Sequence, residues 1–328
     1  MKKITLVTLV LLSLFIGCKK NTSSELQNTD EVQTITHRSC ASNEVLQEQL
    51  ASDPSLRTHM ELLETFTNQT IASGENSRLV NGIIEIPVVV NVLYRTAAEN
   101  ISNEQIQSQI DVLNADYNRT NTDIGKVPSI YRSSIGNVGI RFVLLNIVRK
   151  LTDVISWGTN DAMKKTRKGG IDPTDTEHNL NMWVCNLGEG LLGYAQFPVG
   201  NKATDGVVIL YSAFGSRALY SRGTYIPDYD LGRTASHEVG HWMNLYHIWG
   251  DDGGSCKGSD RVEDTPNQGD LNFGCPAFPH FSCNNSGDMS MNYMDYTDDA
   301  CMYMFTQGQA DRMLAVFASK GPRSAIGQ

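Results

Sequence analysis

His237-Glu238-Val239-Gly240-His241-Trp242-Met243-Asn244-Leu245-Tyr246-His247 decides how the rest of the chain is read. On a helix, His237 and His241 stand at i and i+4, so their imidazoles leave one face about a turn apart and can reach a single zinc ion. His247 lies six residues beyond His241 and cannot reach the same ion from a continuing helix, so the chain must reverse between them. We place the reversal at Asn244, because it requires a left-handed backbone, which Gly adopts freely and Asn more readily than almost any other residue. Three neutral imidazoles leave the fourth vertex of a tetrahedral zinc open to water, the arrangement of a catalytic site and not of a closed structural one. Zinc lowers the pKa of that water toward neutrality, and Glu238 is placed to take its proton as the water attacks a carbonyl carbon. The chemistry implied is peptide hydrolysis. An amphipathic surface helix that holds His, Glu and His by chance is the plainer account of the first five residues, and the third His at the required spacing weighs against it.

A second stretch, Ser290-Met291-Asn292-Tyr293-Met294-Asp295-Tyr296, lies downstream. Together the two resemble the metzincin clan of zinc peptidases, in which the long His-Glu-x-x-His motif is followed by a tight turn that carries a Met below the metal. Met294 matches that Met, and Tyr296 matches a tyrosine that in several metzincins touches the metal or stabilises the oxyanion. Within the clan the resemblance is to the pappalysin family, from about Ile83 to Met313. It is carried by Leu192-Gly193-Tyr194-Ala195-Gln196-Phe197-Pro198, Gly232-Arg233-Thr234, Asp264-Thr265-Pro266, Asn292 to Tyr296, and Phe305-Thr306-Gln307-Gly308-Gln309. Asn244 departs from the clan's Gly, a departure that leaves the required backbone conformation within reach.

The chain has 328 residues, 40% of them hydrophobic, with a formal net charge of -9. That length suits one catalytic domain with an appendage. The charge, with no basic stripe, excludes nucleic acid as a partner. Residues 1–17 read as an export signal, with Lys2 and Lys3 ahead of an apolar run too short to span a bilayer. Phe15-Ile16-Gly17-Cys18 resembles a bacterial lipoprotein cleavage box, which would make a lipid on Cys18 the sole membrane attachment; a plain signal peptide with an incidental Cys is the alternative. Residues 18–78 are expected to form a polar tether and then a helical pro-segment interrupted at Pro54. Cleavage is expected between Ser73 and Arg78. Arg38-Ser39-Cys40-Ala41 resembles the Cys-bearing stretch that keeps some metzincin precursors silent, so Cys40 is a candidate thiolate switch on the zinc. A disulfide from Cys40 to Cys185 and a free thiol are the alternatives.

Residues 79–328 are expected to form the catalytic domain, with an N-terminal subdomain to about 247 and a C-terminal one after it. Strands are predicted at Ile83–Tyr94, Val138–Val148, Asn179–Leu187 and Asp205–Tyr211. A helix follows a Ser102–Gln105 capping box, and another closes the chain over Phe305–Phe317. The polar segment between the second and third strands is read as a loop of little diagnostic value. The order implies an α/β (α+β) fold, a twisted mixed sheet backed by helices. By resemblance, Leu191–Phe197 is the edge strand that takes extended polypeptide substrate through backbone pairing.

The stretch from Asp251 to Asp270 is acidic and rich in loop residues. Asp251, Asp252, Asp260, Glu263 and Asp264 could supply the hard oxygen ligands of a calcium ion, which the family binds in this region; a solvated acidic loop is the alternative. Without Cys18, six cysteines remain, and Cys256, Cys275, Cys283 and Cys301 crowd this half. Three pairings are open to them, and the absence of a Cys-x-x-Cys spacing argues against a second metal site. The resemblance favours Cys256 with Cys283 and Cys275 with Cys301. It also places Asp299 in the pocket for the residue just after the scissile bond, where an acid would select Arg or Lys; a surface Asp is the competing reading. The sequence as a whole implies an exported zinc endopeptidase made as a latent precursor. A non-catalytic peptide-binding lipoprotein and a zinc hydrolase of non-protein substrates are its rivals.

Overall fold

Ile84–Tyr94 (β1) is a run of β-branched residues flanked by sheet on both sides, which is why its side chains are almost all buried. In the computed structural model, which describes residues 35–74 and 83–326, it lies inside a five-stranded sheet of order β2-β1-β3-β5-β4. The other strands are β2 (Ile140–Leu151), β3 (Leu180–Cys185), β4 (Gly193–Ala195) and β5 (Val207–Leu210). The pairs β1–β2, β1–β3 and β3–β5 are parallel, and β4 joins β5 antiparallel at the edge, inside the Leu191–Phe197 stretch that the resemblance assigned to an edge strand. The export signal, Cys18, most of the tether and the expected cleavage site at Arg78 lie outside the described residues, and no described helix is long and apolar enough to cross a membrane.

Alternation along the strands divides the core. Val88, Val90 and Val92 of β1, Met182 of β3 and Ile209 of β5 point to one face. There they meet Ile106, Ile110 and Leu113 of α3 (Asn103–Tyr117) and Val239 and Trp242 of α4 (Arg233–Trp242). Leu93, Trp183 and Leu210 point to the other face, which carries no helix of this kind. Trp157, Met163 and Ile171 pack there, so the segment read from sequence as an undiagnostic loop contributes to the sheet's second core. Its polar composition hid three well-spaced apolar anchors.

Ser102 caps α3 by accepting from the Gln105 backbone N–H at 3.2 Å. The expected reciprocal bond is replaced: the Gln105 side chain donates to the carbonyls of Phe214 and Thr224, tying α3 to the loop ahead of the zinc helix. Pro54 interrupts the N-terminal helical region as predicted, leaving α1 (Ser42–Ser52) and α2 (Pro54–Ser73). Asp53 caps α2, and Pro54 takes a first-turn position where its missing N–H costs nothing. The closing helix α5 is Gln307–Ala315, shorter than expected because Thr306 serves as its cap and pairs with Ile135.

Both disulfides that the resemblance favoured are present, Cys256–Cys283 and Cys275–Cys301. They close loops of 27 and 26 residues in a half of the chain poor in regular structure. On loop-closure entropy, each stabilises the fold by about 3.5 kcal/mol.

Candidate active site

α4 holds the zinc motif, and its far end makes the predicted reversal. Asn244 has φ 78°, the left-handed conformation. The N–H of Leu245 bonds back to the Gly240 carbonyl at 3.0 Å and that of Asn244 to the His241 carbonyl at 2.9 Å. Those two bonds are the Schellman pattern that ends a helix around a left-handed residue. The turn returns His247 to the helix face it has just left, so that His241 Nε2 stands 3.1 Å from both His237 Nε2 and His247 Nε2.

Each ring is held through its other nitrogen. His237 Nδ1 donates to the Tyr293 carbonyl at 2.7 Å, His241 Nδ1 to the Leu245 carbonyl at 2.8 Å, and His247 Nδ1 to Asp251 Oδ1 at 2.7 Å. Carbonyl and carboxylate oxygens accept and never donate, so all three protons belong on Nδ1 and the converging Nε2 atoms present lone pairs. Three buried lone pairs that face one another within contact distance repel unless a cation lies between them. Tetrahedral zinc, with Zn–N of about 2.0–2.1 Å, needs nitrogens about 3.3 Å apart, so the donor set fits that ion. Burial and the neighbouring rings hold His237 and His241 well below the usual imidazole range, which keeps them neutral and ready to ligate.

Cys40 completes the cluster: a ligand atom from each of Cys40, His237, His241 and His247 lies within 4.8 Å of the others. Cys40 and Cys185 are both free, Cys185 in the core under the sheet, so the alternative disulfide is not formed. The Cys40 thiol donates to Glu238 Oε2 at 3.3 Å, and the Ser42 hydroxyl donates to the same oxygen at 2.9 Å. Burial pushes Glu238 up to about 7 against those two bonds, and burial plus the Glu238 charge raise the Cys40 thiol. A divalent cation would reverse the effect on the thiol, since it stabilises a thiolate.

The N-terminal segment reaches this point along the edge strand. The Leu192 N–H donates to the Ser39 carbonyl and the Ala41 N–H to the Gly193 carbonyl, in parallel register. Two residues before Cys40, the Arg38 guanidinium pairs with Asp299 at 2.6 Å. Asp299 is therefore buried and paired, and the surface reading is corrected. Tyr296 donates its hydroxyl to the Cys40 carbonyl at 2.9 Å, with its ring against His237 and His247. Met294 lies under the helix: a Cβ at Gly240 would come within 2.6 Å of its sulfur, so a larger residue at 240 would displace the Met side chain. Gly193 is constrained in the same way, by Glu238 at 2.9 Å.

Among the described residues, no three of the acidic residues bring carboxylate oxygens within 4.8 Å of one another. Asp251 orients His247; Asp252 accepts from Ser255, Lys257 and Gly258 of its own loop; Asp260 accepts from Val262 and Thr265. Asp264 Oδ2 accepts from the Gly308 N–H, and Glu263 is exposed. Sequence reasoning missed Ser42, Asp251 in its role beside His247, and Trp249, which stacks on the His247 ring at 4.4 Å. A lone Ser or Trp gives no signal of such a role. Arg38 stood in a quoted stretch, and its part there depends on Asp299, 261 positions away.

Residues 172–318, which hold every site residue after β2, match the peptidase M43 family, described as Pregnancy-associated plasma protein-A. An extracellular metalloprotease of Arthroderma benhamiae is 35% identical over 260 residues, spanning 77% of this chain and 78% of that protein. One of Pyricularia oryzae is 34% identical over 260 residues, spanning 78% and 80%. Tannerella forsythia mature mirolysin, solved with a cleaved peptide, is 48% identical and superposes with a TM-score of 0.72 over 75% of this chain and 96% of its own. A T. forsythia promirolysin mutant is 42% identical with a TM-score of 0.78, and there the share of this chain rises to 88%, with 97% of that chain covered. With three Nε2 lone pairs converging above a Met turn, on a fold shared with mirolysin, this chain belongs to the pappalysin family of metzincin zinc metallopeptidases.

Proposed function

We propose that the chain is an exported endopeptidase that is made latent and cuts extended polypeptides, with Glu238 as general base. The observation that carries this reading is the convergence of three Nε2 atoms on one buried point, with Glu238 bonded to the Cys40 thiol that completes their cluster, beside an edge strand whose outer side is taken up by the N-terminal segment. His237, His241 and His247 would hold zinc, which when bound supplies Lewis acidity toward a carbonyl and lowers the pKa of a water. Glu238 takes a proton at Oε2 from the attacking water and delivers it to the leaving amine. Tyr296 donates a hydrogen bond to the carbonyl oxygen as negative charge grows there, the contact it now makes to Cys40. β4 offers its backbone to the substrate chain, and Asp299 favours Arg or Lys just after the cut, the side-chain type it now holds in Arg38.

Residues 18–78 act as pro-segment, with the Cys40 sulfur as the fourth donor that excludes water. Cleavage after α2, between Ser73 and Arg78, releases it. A lipid on Cys18 would hold the protein at a membrane. The calcium proposal draws its support from Asp260, whose carboxyl burial pushes up to about 7, and from the unpartnered buried Oδ1 of Asp264. Digestion of casein by the processed protein tests the main reading. Activity should vanish with a chelator and return with zinc; binding of casein without hydrolysis in the zinc-loaded protein would leave a peptide-binding role instead.

A further inference from the structure

The N-terminal segment covers more than the metal. Leu56, Met60 and Leu63 of α2 pack on Phe197, with Val199 and Tyr246 beside it, as a small core separate from those of the sheet. Phe197 is 3% exposed under this cover, and its ring lies 5.4 Å from that of His241, so the surface runs on from the zinc site. One acid of α2 meets a basic fringe. Glu64 accepts from Arg312 Nη1 at 3.0 Å and Nη2 at 2.6 Å, a two-pronged pair, and from Arg261 Nη1 at 2.9 Å. Both guanidiniums lie against the Tyr246 ring, at 5.4 Å and 4.9 Å from its centre. Arg312 is fixed from behind by the Asn244 carbonyl at 2.7 Å, so it would keep its place without Glu64.

We propose that loss of α1 and α2 uncovers a second recognition site for the substrate itself. This shelf of Phe197, Val199 and Tyr246, edged by Arg261 and Arg312, takes a polypeptide segment in which an apolar side chain is accompanied by an acidic one. The inference rests on the peptidase reading above. The side of the cut follows from the path of the N-terminal segment. Arg38 precedes Cys40 and fills the Asp299 pocket, whereas α1 begins two residues after Cys40 and leads away from that pocket toward Phe197. With Asp299 receiving the residue after the scissile bond, the shelf faces residues before it. Phe197 is four positions along from Gly193, about 13 Å of extended chain, which places the contact at the third to fifth residue ahead of the cut. Charge complementarity sets the second requirement: removal of Glu64 leaves two guanidiniums beside an apolar surface, and α2 itself shows the chemistry that satisfies them.

The processed protein with zinc is assayed on three quenched fluorescent peptides that share Arg just after the cut. They differ only at the third to fifth positions before it, which hold Leu and Glu, Leu and Lys, or Ala throughout. The peptide with Leu and Glu should exceed the all-Ala peptide in kcat/KM by about ten-fold, chiefly through KM, and the Leu and Lys peptide by about five-fold less than that. Arg261→Glu should invert the preference between Glu and Lys. Cleavage of all three peptides with equal kcat/KM would overturn this inference and leave the peptidase reading standing. An unchanged Glu-to-Lys ratio in Arg261→Glu would overturn the charged half. If none of the three is cut, the inference falls together with the reading it rests on.

Discussion

Arg38 Nη2 donates to Asp299 Oδ1 at 2.6 Å, between two side chains that are 1% and 0% exposed. The other carboxylate oxygen accepts the backbone N–H groups of Leu231 and Arg233, at the start of the zinc helix. Asp299 is thus held in position by the catalytic body, and Arg38 is the removable partner. Breaking such a buried pair from one side costs about 3 kcal/mol. Arg38→Ala should weaken docking of the N-terminal segment and raise peptide hydrolysis by the unprocessed chain by about 100-fold, read in a continuous assay of the full-length protein. In the processed protein, Asp299→Ala should abolish any preference for Arg or Lys after the cut, read by mass spectrometry of a cleaved peptide library.

Cys40 reaches the zinc cluster from the same segment, with its carbonyl held separately by Tyr296. Cys40→Ala removes the sulfur and leaves the strand pairing of Ala41 and Leu192 in place. The full-length variant should hydrolyse peptide at least about ten-fold faster than wild type before any processing. Equal rates would show that backbone pairing, and not the sulfur, imposes latency.

Glu238 makes no contact that orients a ligand imidazole, since all three rings are held by Tyr293, Leu245 and Asp251. Glu238→Ala should bind zinc at unchanged stoichiometry by elemental analysis, while kcat falls by about 100- to 10,000-fold. Undiminished cleavage by this variant would refute the base assignment.

Asn244 offers a backbone test. Asn244→Gly and Asn244→Ala both lose the side-chain bond to Thr67, and they differ in tolerance of φ 78°. The Ala variant should be less stable than the Gly variant by about 1–2 kcal/mol in chemical denaturation, and should bind zinc more weakly because His247 depends on the turn. Equal stabilities would mean that the turn relaxes out of the left-handed region.

Asp295, beside Met294, accepts from Gln268, Asn272 and the Tyr296 N–H, yet burial raises its carboxyl to about 6. Its folded value lies above the unfolded one, so the native state binds the extra proton and ∂ΔG/∂pH is negative between them. This group's contribution to stability is present in full below about pH 4 and is lost as pH rises through about 6. Asp295→Ala should remove that share of the decline in Tm across this window, measured at constant metal concentration; an unaltered slope would locate the proton elsewhere.

The sequence by itself determined the metal site, because a helix fixes His237 and His241 at i and i+4 and a left-handed residue between His241 and His247 is the short way to bring the third ring round. It determined the strands as well, since β-branched runs such as Ile84–Tyr94 carry their own signal. Motif resemblance added the Met turn, the edge strand and the disulfide pairing. Tertiary structure alone decided what depends on distant partners. It buried Asp299 opposite Arg38, set Asp251 behind His247, hung Glu238 on Ser42, and laid α2 over Phe197 with Glu64 between Arg261 and Arg312. Local pattern reports the face a residue presents to its own helix or strand. It carries no information about a charge hundreds of positions away, and the pairing of such charges is fixed only when the folded chain has removed both from water.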